Sequence, residues 1–271
     1  MGDLSQKLAR ARRVPARLTR DAWLIRNLEN WREALAAEWR RTSLSQLKLR
    51  NGIVLNGPDT IDLAFLFHET WQRRIYSPAG YEIGPGESVI DIGANIGVFA
   101  TFAATQAPGV RVFSFEPFPE NVKWLRDNVN NSALTNVQVF QQAVSAKTGV
   151  RYLDVNVDNW IVHSLFAEGT ATQTGLPVDS VSFDDIMNRE DIDRCDLLKL
   201  DCEGSEYEIL QYCAPETLKR VRRIVGEYHE GPHINGTGEE LCRFLESRSF
   251  RIDNFDRGDG CGVFSAYNLH F

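Results

Sequence analysis

The sequence predicts an α/β fold: an open, mostly parallel sheet flanked by helices, closed by an antiparallel C-terminal hairpin and preceded by a helical N-terminal extension. Three observations predict it. From about residue 81 onward, short β-rich runs alternate with helical runs. One strand–helix junction, Val89-Ile90-Asp91-Ile92-Gly93-Ala94-Asn95-Ile96-Gly97, turns on glycine. The last two strands are joined by the Gly-rich run DRGDGCG, which suits a hairpin.

The elements follow in order. Trp23, Leu24, Leu28, Trp31, Leu35 and Trp39 recur at three- and four-residue steps, which predicts helix over 18–50. Turn signals follow at Asn51-Gly52 and at Asn56-Gly57-Pro58, and a helical pattern runs from Thr60 to Tyr76. Strands are predicted at Ser88–Ile92, Arg111–Phe115, Val137–Gln141, Leu197–Leu200 and Arg223–Gly226, then at Arg251–Asn254 and Val263–Leu269. Helices are predicted over Ile96–Ala107, Glu120–Asn130, Ser205 to about Cys213, and Glu239–Ser247. A short helix capped by Ser182 precedes the fourth strand. The stretch between the third strand and Ser182 reads as irregular. This divides the chain into a helical extension (1–80) and a sheet domain (81–271).

Bulk properties narrow the function. At 271 residues, 43% hydrophobic and 25% charged, the chain has the make-up of a soluble globular protein. It contains no run of roughly 18 apolar residues, so no membrane span is expected. The basic start lacks the apolar stretch of a secretory signal. Five cysteines without CxxC spacing read as reduced thiols, and the location expected is cytoplasmic. Residues 1–50 carry 12 Lys/Arg against 5 Asp/Glu, while the rest carries 18 against 32. An acidic main domain argues against a nucleic-acid partner. The tryptophan-rich N-terminal helices have two readings: they cover the sheet domain, or they mediate a homodimer.

The decisive chemistry lies at the strand ends. Gly93 permits a sharp turn and close ligand approach, and Gly97 lets the helix pack against the strand. Asn95 stands where a dinucleotide-binding GxGxxG would have its middle glycine. Asp91, directly before the turn, would repel a pyrophosphate but accept hydrogen bonds from an ammonium group. That favours S-adenosylmethionine over a nicotinamide dinucleotide. Glu116, 25 residues after Asp91 at the next strand end, is placed to accept both ribose hydroxyls. Pro117 ends that strand. After the third strand, Gln142 and the backbone N–H of Ala143 are candidates for the adenine edge. Alternation points Lys199 and Asp201 to one side of the fourth strand, and Glu227 and His229 to one side of the fifth. Asp201, Glu227 and His229 are therefore expected to converge at the reacting group. Their spacing matches no strict metal motif, so no metal site is assigned. Glu203, near a helix start, reads as a dipole-compensating residue.

Together these residues resemble the FkbM-type methyltransferase family. The resemblance spans about residues 60–230 through DIGANIG (91–97), FEPFPEN (115–121), QAVS (142–145), His163-Ser164-Leu165, KLDCEGSE (199–206) and GEYHE (226–230). It implies a Rossmann-like, seven-stranded methyltransferase sheet that uses S-adenosylmethionine. It also implies O-methylation of a hydroxyl on a small molecule such as a natural product or sugar, with a carboxyl acceptor as the alternative. Asp91, Gly93, Asn95, Gly97, Glu116 and Asp201 carry over as cofactor-side positions. A non-catalytic scaffold that keeps the fold is the reading from a different class. Deprotonating a hydroxyl calls for a base. His229 is the first candidate because imidazole titrates near neutral pH. Asp201 is the second, and His163 a weaker third.

Overall fold

The computed structural model describes residues 19–271 except 41, 156–162, 166–174, 232–233, 235 and 259. The long N-terminal helix expected over 18–50 is broken. Helix α1 covers 19–27 and α2 covers Trp31–Arg40, and an antiparallel hairpin follows, β1 (Gln46–Lys48) and β2 (Val54–Asn56). Asn30 explains the break. Its amide donates to Gln46 O at 3.0 Å and its carbonyl accepts from Lys48 N at 2.9 Å, so it ties the helix junction to the hairpin. Helix α3 (Leu63–Phe67) is capped by Asp62 and runs into a π-helical turn, His68–Arg73.

The sheet strands are β3 (Ser88–Ile92), β4 (Arg111–Phe115) and β5 (Val137–Phe140), with α4 (Val98–Ala104) and α5 (Pro119–Asn131) between them. The stretch that reads as irregular contains strands. β6 (Ala143–Ser145), β7 (Gly149–Val155), β8 (His163–Leu165) and β9 (Leu176–Ser182) form a separate sheet in the order β6-β9-β7-β8. After it come α6 (Phe183–Arg189), β10 (Leu197–Leu200), α7 (Glu206–Tyr212), α8 (Pro215–Leu218) and β11 (Arg223–His229). Helix α9 (Gly238–Ser247), with a complete Thr237–Glu240 capping box, leads to β12 (Phe250–Phe255) and β13 (Cys261–Asn268). The hairpin is the one expected.

The main sheet has seven strands in the order β12-β13-β11-β10-β3-β4-β5. Pairs from β11 to β5 are parallel, and β13 is antiparallel to both its neighbours. Alternation sorts the strand residues between two cores. Val89, Val112, Leu197 and Val225 join α4, α5 and the N-terminal elements on one face. Ile90, Phe113, Leu198 and Ile224 join α6, α7 and α9 on the other. The N-terminal elements cover the sheet, because Leu24, Leu28, Leu55 and Phe67 belong to the first of these cores. Asn128, fully buried on α5, bonds both to Asn56 of the hairpin and to Ile96 O of the glycine turn. The extension is thus anchored beside the motif. Chain order runs outward from β3 to β5 on one side and from β10 to β11 on the other, so a crevice opens at the carboxyl ends of β3 and β10.

Candidate active site

Most of the residues assigned to chemistry sit around that crevice. Gly93 has φ +76°, and a Cβ there would lie 1.7 Å from Asp201 O. Only glycine lets β3 and β10 approach so closely at the turn. Gly97 has φ +86°, and a Cβ would meet Leu125 at 2.3 Å, so the second glycine sets the α4–α5 packing. Asn95 adopts φ 50° and points its N–H at Glu116 Oε2, 2.9 Å away.

Glu116 is 5% exposed and also accepts from Phe118 N at 3.0 Å and Asn121 Nδ2 at 3.4 Å. Three donors leave a carboxylate spare lone pairs for ligand hydroxyls. Burial pushes this acid up to about 7, against the pull of those hydrogen bonds. Asp91 is fully buried and raised by burial, with Lys199 opposing. Lys199 Nζ stands 3.2 Å from Asp91 Oδ1 and 3.7 Å from Asp201 Oδ2, and donates to Gly93 O at 2.6 Å. Burial disfavours its charge, but the two aspartates outweigh that and hold it above its ordinary value. Lys199 thus clamps the glycine turn to both flanking acids.

A cleft of about 410 Å³ runs through these residues. Gly93, Asn95, Glu116, Pro117, Gln142 and Ala143 line one part; Asp201, Glu203, Glu227 and Tyr76 line another. The first group suits S-adenosylmethionine: a turn a Cβ would fill, a buried carboxylate with spare acceptor sites, and an acid before the turn. Asp91 itself and Gly97 support the cleft from beneath and are absent from its lining.

Asp201, Glu227 and His229 do converge, offering ligand-type atoms within 4.8 Å of one another. Each is already engaged. Tyr76 Oη lies 2.8 Å from Asp201 Oδ2 and 2.7 Å from Glu227 Oε1. His229 Nδ1 lies 3.1 Å from Glu206 Oε1, and Nε2 lies 3.5 Å from Glu203 Oε2. A cation bridging the three would have to displace Tyr76 and draw His229 from Glu203, and we assign none here. Burial works against the imidazolium, but Glu206, Glu203 and Asp201 hold His229 up to about 9. It therefore carries charge at neutral pH, a poor state for a base. Burial and Asp201 raise Glu227, and burial lifts Glu203 to about 7. The cap-like role expected of Glu203 falls to Glu206, whose carboxylate accepts from Cys202 N and Gly204 N at 2.9 Å. Glu203 instead faces the cleft from a left-handed conformation, φ 54°. His163 is on β8, and its side chain lies outside the described residues.

Two members of this cluster escape sequence reading. Tyr76 is 125 residues from Asp201 and 151 from Glu227, so no local spacing announces it. Glu206 is signalled only by its place in KLDCEGSE.

A seven-stranded, mostly parallel sheet with a cleft at the carboxyl ends of its central strands is a methyltransferase architecture. Residues 91–252 match the methyltransferase FkbM domain, and the chain belongs to that family of methyltransferases. The methyl donor is S-adenosylmethionine. The chain is 28% identical over 234 residues to 31-O-demethyl-FK506 methyltransferase FkbM of Streptomyces tacrolimicus, covering 76% of this chain and 88% of that protein. It is 25% identical over 141 residues to hexuronic acid methyltransferase AglP of Haloferax volcanii, covering 52% and 55%. A solved S-adenosylmethionine-dependent methyltransferase from Aquifex aeolicus superposes with a TM-score of 0.43 at 14% identity, over 77% of this chain and all of that one. No helix among the described residues is long and apolar enough to cross a membrane.

Proposed function

We propose that the protein methylates a hydroxyl oxygen of a small molecule, with the acceptor's proton passing to the Asp201–Glu227 pair. One observation carries this: the acceptor end of the cleft is lined by carboxylates. Asp201, Glu203, Glu227 and Asp256 face it, while its cations are engaged, Lys199 by Asp91 and Asp201 and Arg73 by Glu69. A carboxylate acceptor about 4 Å from one such group meets roughly 4 kcal/mol of repulsion at an effective dielectric of 20. A neutral hydroxyl meets none and finds acceptors for its proton.

When bound there, S-adenosylmethionine would supply an electrophilic methyl group for the acceptor oxygen, with S-adenosylhomocysteine as the leaving group. The chain's own residues do the rest. Gly93, Asn95, Glu116, Pro117, Gln142 and Ala143 form the nucleoside cradle, with Asp91 and Lys199 fixing the turn beneath it. Asp201 emerges beside that turn, 29% exposed in its side chain, and is placed to receive the hydroxyl proton. His229, held charged, moderates the repulsion among Asp201, Glu203 and Glu227. It becomes a base only towards its own raised range.

The relative named for 31-O-demethyl-FK506 supports an oxygen acceptor on a natural product, and the one named for hexuronic acid supports a sugar. The acidic sheet domain supports a small molecule over nucleic acid. Five free cysteines suit a reducing, cytoplasmic location. A uronic-acid glycoside tests the reading, since it offers hydroxyls and a carboxyl on one ring. The expected product carries its labelled methyl as an ether that survives mild alkali. An alkali-labile methyl ester as the main product would establish the carboxyl reading instead.

A further inference from the structure

We infer that Tyr76 is a positioning residue for this reaction, its hydroxyl coupling Asp201 and Glu227 into one proton-accepting unit. Its part in catalysis rests on the hydroxyl reading above; the coupling rests on geometry alone. The phenol lies 2.8 Å and 2.7 Å from the two carboxylates and is 7% exposed, so water cannot substitute freely for either partner. A phenol has one proton to donate. With both carboxylates ionised, one contact holds a hydrogen and the other sets lone pairs against each other. One added proton completes the chain: a carboxylic acid donates to the phenol oxygen, and the phenol donates to the other carboxylate. The unit therefore has a vacancy for one proton, and the acceptor hydroxyl supplies it. The O–H bond breaks, its electron pair stays on the acceptor oxygen, and the proton ends on the Asp201–Glu227 pair until solvent removes it.

The backbone is bent to deliver this residue. The π-helical turn His68–Arg73 ends on Arg74 in the left-handed region, φ 54° and ψ 45°. Its N–H bonds Glu69 O, and the chain reverses so that Tyr76 enters the cleft. Strain of this kind in a non-glycine residue persists where the surroundings enforce it. Phe99 meets the Tyr76 ring edge-on at 5.5 Å, and Lys199 Nζ sits 5.2 Å from the ring centre.

Charged and titratable groups face the pair from several elements. Lys199 faces the pair from β10, His229 from β11, Cys202, Glu203 and Glu206 from the β10–α7 junction, Cys261 from β13, and Asp91 from β3. Lys199 and His229 favour ionised carboxylates, whereas the acids favour a bound proton. Burial and Asp201 leave Glu227 raised, and the hydrogen bond from Tyr76 pulls the other way. That pull acts on Glu227 alone: the ionised pair takes one hydrogen bond from the phenol and the singly protonated pair shares two, so removing the hydroxyl should lower the pair's affinity for the first proton.

Tyr76→Phe keeps the ring and removes the hydroxyl. Infrared titration of the protonated carboxyl band needs no acceptor and reads the coupling directly. Glu227→Gln assigns the band by removing its contribution. In Tyr76→Phe the midpoint is expected to move down by about one pH unit, the worth of the one hydrogen bond that the protonated pair gains. With a turned-over hydroxyl acceptor, the rising limb of kcat against pH should move equally. Turnover on the plateau should fall a few-fold, because the pair is then a weaker base, and higher pH should not restore it, with S-adenosylhomocysteine affinity and KM little changed. An unmoved or raised infrared midpoint overturns the coupling. A moved midpoint with a uniformly lowered, unshifted rate profile overturns the catalytic role. Failure of the hydroxyl reading looks different: no ether product from the wild type, while the infrared shift still upholds the coupling.

Discussion

Cofactor affinity should depend on pH through Glu116, and the structure sets the direction. Burial holds this carboxyl at about 7 in the empty protein. Ribose hydroxyls donate strong, charge-assisted hydrogen bonds only to its ionised form, so ligand binding lowers its pKa and releases a proton. Affinity is therefore complete above about pH 7 and lost as the pH falls below it, until the lower pKa of the complex is reached. The carboxyl is about nine-tenths ionised at pH 8 and about one-tenth ionised at pH 6. The dissociation constant should thus rise about ten-fold between them, or ~1.4 kcal/mol. Calorimetry with S-adenosylhomocysteine at pH 6, 7 and 8 measures the effect, and buffers of different ionisation enthalpy reveal the released proton. Glu116→Gln should bind at least ten-fold more weakly at pH 8, since a charge-assisted hydrogen bond of ~1.5–3 kcal/mol is lost. It should also abolish the pH dependence. Glu203, at about 7 in the same cleft, is the internal competitor. An unchanged pH dependence in Glu116→Gln would assign the effect to Glu203 and refute the reasoning.

Three further outcomes are expected. Asp91→Ala should weaken cofactor binding and also destabilise the fold by about 3–5 kcal/mol, because Lys199 is 2% exposed and would lose its nearer carboxylate. Denaturant unfolding should show the double variant Asp91→Ala/Lys199→Met recovering part of that loss; no recovery would mean the pair is not what Asp91 stabilises. His229→Ala should lower turnover at neutral pH by about ten-fold, short of the 10²–10⁴ of a general base. A loss of that larger size, with the wild-type rate climbing through about pH 9, would restore His229 as the base. Activity should survive exhaustive EDTA treatment; complete loss, restored by magnesium or manganese, would make Asp201, Glu227 and His229 ligands of a cation.

The glycine turn of the candidate site was legible because it is local. Asp91, Gly93, Asn95 and Gly97 lie within seven residues on one strand–turn–helix junction. A two-residue strand period and a left-handed glycine turn constrain where such residues point, whatever surrounds them. Period-two alternation likewise put Lys199 beside Asp201 and Glu227 beside His229, and parallel pairing of β10 with β11 brings the two sets together. Other features had no such local signature. The apolar spacing over 18–50 fits a helix, but Asn30 bonds the β1 strand and ends it. The insertion between β5 and α6 forms strands by pairing with one another, and two of the four are only three residues long. What tertiary structure alone decided is electrostatic. The identities of Glu116, His229 and Glu227 are written in the chain. Their proton affinities depend on burial and on partners such as Glu206 and Tyr76, brought together from distant positions when the sheet closes.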